Sequence, residues 1–176
     1  ERFSNSTREV AQDGRRGALM LSISIEHPDA EDFIDAKLDQ SKVTGANISV
    51  KITDDFMQAV IKGDAFIQRF PVGSNNPTTT KEIDASSLWE KIVHNAWKSA
   101  EPGILFWDTI KRESVADCYE DEGFGTVSTN PCGEIPLCPY DSCRLLAINL
   151  LSFVNNPFSE EAEFDFVKFK RYVRMA

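Results

Sequence analysis

The sequence points to an α/β fold with a parallel sheet, on three observations. Short apolar runs at residues 19–25 and 47–52 have the length and residue types of strands. Each is followed by a segment with helical spacing, so strand, helix, strand and helix fit between Leu19 and Gly63. That is βα-repeat arithmetic, which implies parallel strands joined by right-handed crossovers. Finally, 41% of the 176 residues are hydrophobic and no tract is of low complexity, so a core can be buried.

Taken in order, residues 1–11 are polar and mixed, as at the end of a helix. Gln12, Asp13, Gly14, Arg15, Arg16, Gly17 and Ala18 follow. Glycine lets backbone amides approach a ligand, and arginine offers forked donors to a phosphate or base edge. A solvated basic turn ahead of a strand is the plainer alternative. Residues 19–25 are apolar on both faces, as in a strand buried in a parallel sheet. His27-Pro28-Asp29 opens a helix, with proline in the first turn and acidic residues complementing the macrodipole. Phe33, Ile34, Ala36 and Leu38 form its apolar side, and His27 is a turn residue, not a ligand. A polar loop over 39–45 leads to the second strand, 47–52. Thr53 then caps a short helix with Phe56, Met57, Val60 and Ile61 apolar, and Gly63 ends it.

Residues 66–70 suit a short edge strand and 71–81 an irregular surface loop. Asp84 caps the longest helix, running to about Ala100, with Trp89, Ile92, Val93, Ala96 and Trp97 expected on its core face. His94 lies off that stripe. Pro102-Gly103 stops the helix before an apolar stretch at 104–107. Acidic residues over 117–122 surround Cys118, and acidic neighbours dull a thiol. Further on, the pattern predicts an apolar strand over 145–154, a polar turn at Asn155-Asn156-Pro157 and an amphipathic helix from about Asp165.

The net charge of −9 argues against a general nucleic-acid surface, which needs excess Lys and Arg on one face. It leaves room for a small anionic ligand on a local basic loop. No run of 18 apolar residues exists, so no membrane-spanning helix is expected. The chain opens on Glu1 without a charged-then-apolar leader, so a cytoplasmic protein is expected. Both ends look cut, as in a fragment of something longer. Cys118, Cys132, Cys138 and Cys143 contain no C-x-x-C knuckle, and neither His27 nor His94 lies near them in sequence. No metal site is expected, and redox or radical cysteines fit a reducing cytoplasm better than a secreted disulfide framework.

The stretch that carries chemistry is Asn130-Pro131-Cys132-Gly133-Glu134, with a carboxamide, a thiol and a carboxylate in five residues. Proline and glycine between them exclude a helix interior, so a tight loop presents all three side chains to one small volume. An incidental cysteine on a surface turn is the plainer alternative.

That stretch, continued by Ile135-Pro136-Leu137 and followed by Cys143-Arg144-Leu145-Leu146-Ala147-Ile148-Asn149-Leu150, closely resembles the catalytic finger loop of ribonucleotide reductase large subunits. The resemblance extends over essentially the whole chain, through residues 12–18, 45–50 and 103–108. It implies one segment, residues 1–176, of a ten-stranded α/β barrel with a central finger loop, truncated at both ends. Residues 12–18 match the specificity loop that relays a bound effector nucleotide to the substrate base, with Gln12, Gly14, Arg15, Arg16 and Gly17 as its residues. Asp13 stands where the family pattern has glycine.

By the same resemblance, Cys132 takes hydrogen from C3′ of a ribonucleotide, Glu134 acts as base towards the 3′-hydroxyl, and Asn130 orients the ribose hydroxyls. Cys143 matches one member of the reducing cysteine pair, whose partner belongs to a strand upstream of Glu1. The short interval from Cys132 to Cys143 is similar to the adenosylcobalamin-dependent subclass, which needs no separate radical subunit. The implied partners are ribonucleotide substrates, deoxynucleotide or ATP effectors, a thioredoxin-like thiol reductant and a second copy in a homodimer. No cofactor is expected on the fragment alone, which is expected to be inactive. Two other readings stay open: a zinc-stabilised cysteine-cluster binding module, and a non-catalytic barrel paralogue.

Overall fold

The computed structural model describes residues 1–12, 14–39 and 41–176, and the side chains of Ala11, Gln12 and Arg16 lie outside the description. Two compact units are present, Glu1–Ser142 and Cys143–Ala176.

The first unit begins with helix α1 (Arg2–Glu9) and a minimal antiparallel hairpin of β1 (Ala11–Gln12) and β2 (Arg15–Arg16). The βα pattern read from the sequence then appears in turn: β3 (Met20–Ser24), α2 (Ala30–Ile34), β4 (Asn47–Ile52) and α3 (Asp54–Lys62). Thr53 accepts a hydrogen bond from the Phe56 amide at the start of α3, and Gly63, at φ +71°, closes it in the left-handed region. Next come β5 (Ala65–Phe70), β6 (Thr79–Asp84), α4 (Ala85–Ser99), β7 (Gly103–Phe106) and α5 (Trp107–Glu113).

Strands β3, β4 and β7 form one parallel sheet with β4 at its centre, in a register that sets Ser49 beside Ser22 and Gly103. Parallel neighbours need long crossovers, and α2 supplies one while α3, the β5–β6 hairpin and α4 supply the other. Because strand side chains alternate, Ile48, Val50 and Ile52 point to one face and Asn47, Ser49 and Lys51 to the other. The first face meets Ile34 of α2, Phe56 and Ala59 of α3, and Leu88 and Ile92 of α4 in the core. Each of the Ile, Leu and Phe side chains among them stabilises the fold by about 1.5–3 kcal/mol when fully buried. Gln68 of β5 is wholly buried and its Nε2 donates to the Ile25 carbonyl at 2.9 Å, which ties the hairpin to the sheet.

Three sequence expectations change. The β5 strand has an antiparallel partner, because β6 begins at Thr79 inside the stretch read as a loop over 71–81. On α4 the buried stripe is Ala85, Leu88, Ile92 and Asn95, and Trp97 is 81% exposed. Trp89 does pack against the core, whereas Val93 is exposed. Two residues beyond Asn95 on a 3.6-residue turn falls on the opposite side, so helical geometry outweighed tryptophan's size. Asn95 keeps its buried place by donating to the Ile34 carbonyl (3.2 Å) and Asp35 Oδ1 (2.9 Å).

The third change concerns the second unit. Residues 145–153 form no strand among the described residues. A 3-10 turn at Leu150–Phe153 leads into the two-residue strand β10 (Val154–Asn155), and Leu145 is 96% exposed. A strand exists only through its ladder, and here pairing is confined to β10 (Val154–Asn155) with β11 (Glu163–Phe164). Helix α6 (Phe166–Met175) follows, capped by Asp165, which accepts from the Lys168 amide. Phe153 is buried against Phe164, Phe169 and Tyr172, and this aromatic cluster is the unit's core. The first unit also holds a last pair of short strands, β8 (Ser128–Thr129) and β9 (Pro136–Leu137).

No helix among the described residues is long and apolar enough to cross a membrane. The observed architecture is mixed α/β, without a closed barrel among those residues.

Candidate active site

Asn130-Pro131-Cys132-Gly133 has the residue preferences of a type I β-turn: Asn first, Pro second and Gly fourth. The turn forms, with the Gly133 amide donating to the Asn130 carbonyl at 3.0 Å. Gly133 sits at φ +85°, where a side chain is strained. An added Cβ there would meet only Leu105 Cδ2 at 3.7 Å, so backbone conformation and not space calls for glycine. The turn tops a short antiparallel hairpin of β8 (Ser128–Thr129) and β9 (Pro136–Leu137). Its stem continues through the Asn130 amide to the Ile135 carbonyl (3.1 Å) and the Val127 amide to the Leu137 carbonyl (3.0 Å). Cys132 is exposed at the apex.

Asn130 is 5% exposed and organises the loop from inside. Its Nδ2 donates to Glu134 Oε1 at 2.7 Å, and its Oδ1 accepts from the Ile135 amide at 3.0 Å. Only one orientation of the carboxamide satisfies both bonds, since its NH2 must face the carboxylate and its oxygen the N–H. Thr129 Oγ1 adds a bond to the Asn130 carbonyl (3.1 Å). Three groups are thus gathered on one turn: an exposed thiol, an exposed carboxylate with one oxygen held, and a carboxamide locked between bonds. Such a set can orient hydroxyl groups, accept a proton at Glu134 and present sulfur to a bound molecule.

The hairpin lies along the polar face of β4. Asn47 Nδ2 donates to the Pro131 carbonyl at 2.7 Å, and Lys51 Nζ donates to the Val127 carbonyl at 2.6 Å. Lys51 also lies over the Trp107 ring, 3.9 Å from its centroid, and burial lowers its pKa below the usual lysine value. Gly103 keeps this face clear, since a Cβ there would come within 2.7 Å of Ser49 Oγ. Sequence reasoning missed Asn47 and Lys51 as parts of the site. Their polar alternation with Ile48, Val50 and Ile52 was the available clue: a strand covered by helices alone on both faces would be apolar throughout.

The specificity-loop candidates lie in the same unit. Gln12 pairs with Arg15 across the small hairpin, Gly14 turns it at φ +79°, and Arg15 is exposed. The backbones of Gln12 and Arg16 are in the ladder; Asp13 lies outside the described residues. Gly17 passes so close to α1 that a Cβ would come within 2.8 Å of the Thr7 carbonyl oxygen. An open cavity of about 530 Å³ is lined by Arg8, Gly17, Ala18, Asn47 and Pro131, among others. It brings the end of the basic loop and the tip of the hairpin to one space.

Cys143 opens the second unit and is exposed. Cys118 donates to the Val115 carbonyl at 3.3 Å, and Cys138 is half-buried. Among the described residues no group of three or more His, Cys, Asp or Glu side chains is placed to hold a metal ion.

Comparison with known proteins bears on the whole chain. The family model for the ribonucleotide reductase barrel domain matches residues 2–176. Vitamin B12-dependent ribonucleoside-diphosphate reductases of Thermoplasma acidophilum and Mycobacterium tuberculosis are 41% and 39% identical, over 86% and 84% of this chain. A vitamin B12-dependent ribonucleotide reductase of Streptomyces clavuligerus is 30% identical over 92% of this chain. The matched regions cover 19%, 21% and 18% of those relatives, so the chain spans about a fifth of their length. With an N-P-C-G-E hairpin docked on a parallel sheet and a family match across residues 2–176, the chain belongs to the ribonucleotide reductase barrel-domain family.

Proposed function

We propose that the parent protein converts ribonucleotides to deoxyribonucleotides by thiyl-radical chemistry, and that the hairpin at 130–134 supplies its first chemical step. The observation that carries this is the bond from Asn130 Nδ2 to Glu134 Oε1 beside an exposed Cys132. Cys132, as a thiyl radical, takes the C3′ hydrogen atom of the bound ribose. Glu134 accepts the proton of the 3′-hydroxyl, a step that needs an ionised carboxylate within hydrogen-bond reach. Asn130 holds that carboxylate in place and orients the ribose hydroxyls without changing its own protonation. Cys143 acts later as one of two thiols that reduce the substrate radical, its partner lying outside this chain.

The barrel around this site is ten-stranded, with the hairpin at its centre, and both compact units are segments of that one domain. An exposed thiol at a turn apex fits a radical delivered by a small-molecule cofactor. Adenosylcobalamin, when bound, would supply that initiating radical. Cys132 is the residue that would face it.

Gln12, Gly14, Arg15, Arg16 and Gly17 read the nucleobase and relay the effector, beside a cavity that Gly17, at the end of this loop, lines together with Pro131. Deoxynucleotides or ATP serve as effectors, a thioredoxin-like protein as reductant, and the parent enzyme is a cytoplasmic homodimer. The 176 residues alone turn over no substrate.

The test is single-turnover deoxynucleotide formation by the full-length enzyme. Cys132→Ser is expected to form none, because a serine O–H bond is too strong for hydrogen-atom relay. Cys143→Ser is expected to initiate but fail at reduction. Product from the Cys132→Ser enzyme would overturn the proposal.

A further inference from the structure

We propose that Asn47 is a positioning residue for Cys132, a role that rests on the thiyl-radical function proposed above. The Pro131 carbonyl that Asn47 holds at 2.7 Å belongs to the peptide unit whose nitrogen is that of Cys132. A peptide unit is planar and stiff, so fixing its carbonyl fixes the direction in which the chain enters Cys132. The backbone of Asn47 is itself held at the other end. It begins the central strand of the sheet, pairs with Met20, and its own amide donates to the Leu19 carbonyl at 2.8 Å.

A second bond makes the arrangement a register and not a single contact. Lys51 stands four residues after Asn47 on the same face of β4, and Val127 stands four residues before Pro131. Four strand residues span about 13 Å. The ascending arm of the hairpin therefore runs antiparallel to β4 over a matched length, tied at both ends by side chains instead of a backbone ladder. Lys51 holds the stem and Asn47 holds the tip. Of the two, Asn47 governs the thiol, because its bond lies one residue from Cys132. Its short, uncharged carboxamide reaches the carbonyl with only two side-chain torsions to fix.

Asn47→Asp is the informative change in the full-length enzyme, being nearly isosteric while placing an oxygen where the donor was. Without the bond the tip shifts, and a misplacement of the order of 1 Å costs about 100-fold in rate. The expected result has three parts. Amide hydrogen exchange over residues 127–137 rises about tenfold, exchange in 20–24, 47–52 and 103–106 stays as in the parent, and kcat falls about 10–100-fold at nearly unchanged nucleotide KM. The exchange readout needs neither cofactor nor turnover. Positioning is overturned if exchange at 127–137 is unchanged, if kcat is unchanged, or if the three sheet strands loosen together with the hairpin. Should the Cys132→Ser enzyme still form product, the radical assignment fails by that result alone, and the exchange data still decide whether Asn47 holds the turn.

Discussion

Ile48, Val50 and Ile52 on one face of β4, and Asn47, Ser49 and Lys51 on the other, share one backbone and one pair of ladders. The first three are buried in the core, which includes Phe56 and Ile92, through contacts that are short-ranged and largely indifferent to direction. Of the other three, Asn47 and Lys51 bind the hairpin through two bonds whose direction is everything. Shape and volume matter on the apolar face, where swaps that keep volume usually cost under about 1.5 kcal/mol. Donor identity matters on the polar face. The period of two thus lets a single strand set the stability of the sheet and the geometry of the site through alternate residues, so the two can be perturbed separately.

The sharpest separation should come from the hairpin. Glu134→Gln keeps the volume and an oxygen for Asn130 but removes the proposed base. In the full-length enzyme turnover is expected to fall about 10²–10⁴-fold with the thermal midpoint unchanged. Steady-state kinetics beside a melting curve checks it. On the apolar face, Phe56→Ala should destabilise by about 3–5 kcal/mol, read from denaturant unfolding, while leaving nucleotide selectivity intact.

Lys51→Met should have a smaller effect and one that depends on pH. Burial lowers the folded-state pKa of Lys51, so in the alkaline range the unfolded chain holds this proton longer than the folded one. Stability contributed by this group therefore rises as pH climbs through the folded pKa towards the ordinary lysine value, and is flat above it. Lys51→Met should remove that rise, as measured by thermal midpoints across the range.

The smallest effect belongs to the surface. Lys91 and Lys81 hold the Glu31 carboxyl below its usual range, chiefly through the Lys91 hydrogen bond. That contribution is present above the unfolded carboxylate pKa and is lost as pH falls through the folded one. The group is exposed, so Glu31→Gln should cost under about 1 kcal/mol, and less in high salt.

What was legible in the sequence follows the distance over which each interaction acts. The Thr53 and Asp84 caps, the Gly63 stop and the turn at Asn130 each join groups within four residues, and all were readable as local chemistry. The bonds from Asn47 and Lys51 span 84 and 76 residues and left only an alternation of polar and apolar residues as their trace. Trp97 misled because large size suggested burial, whereas Asn95, a polar residue with two bonds, took the inner position. The expected strand over 145–154 failed for a related reason: apolar β-prone residues specify a strand only where a neighbour completes the ladder. Fold class and the chemistry of the turn are local; the docking of the turn is not.

The account is tested most directly by measuring the thermal midpoint and the single-turnover rate of deoxynucleotide formation together, in two full-length variants, Cys132→Ser and Val50→Ala. Cys132→Ser should keep the parent midpoint and form no product. Val50→Ala should melt lower, yet its folded fraction should form product at the parent rate. Product from Cys132→Ser, or a rate lost in step with stability in Val50→Ala, would contradict it.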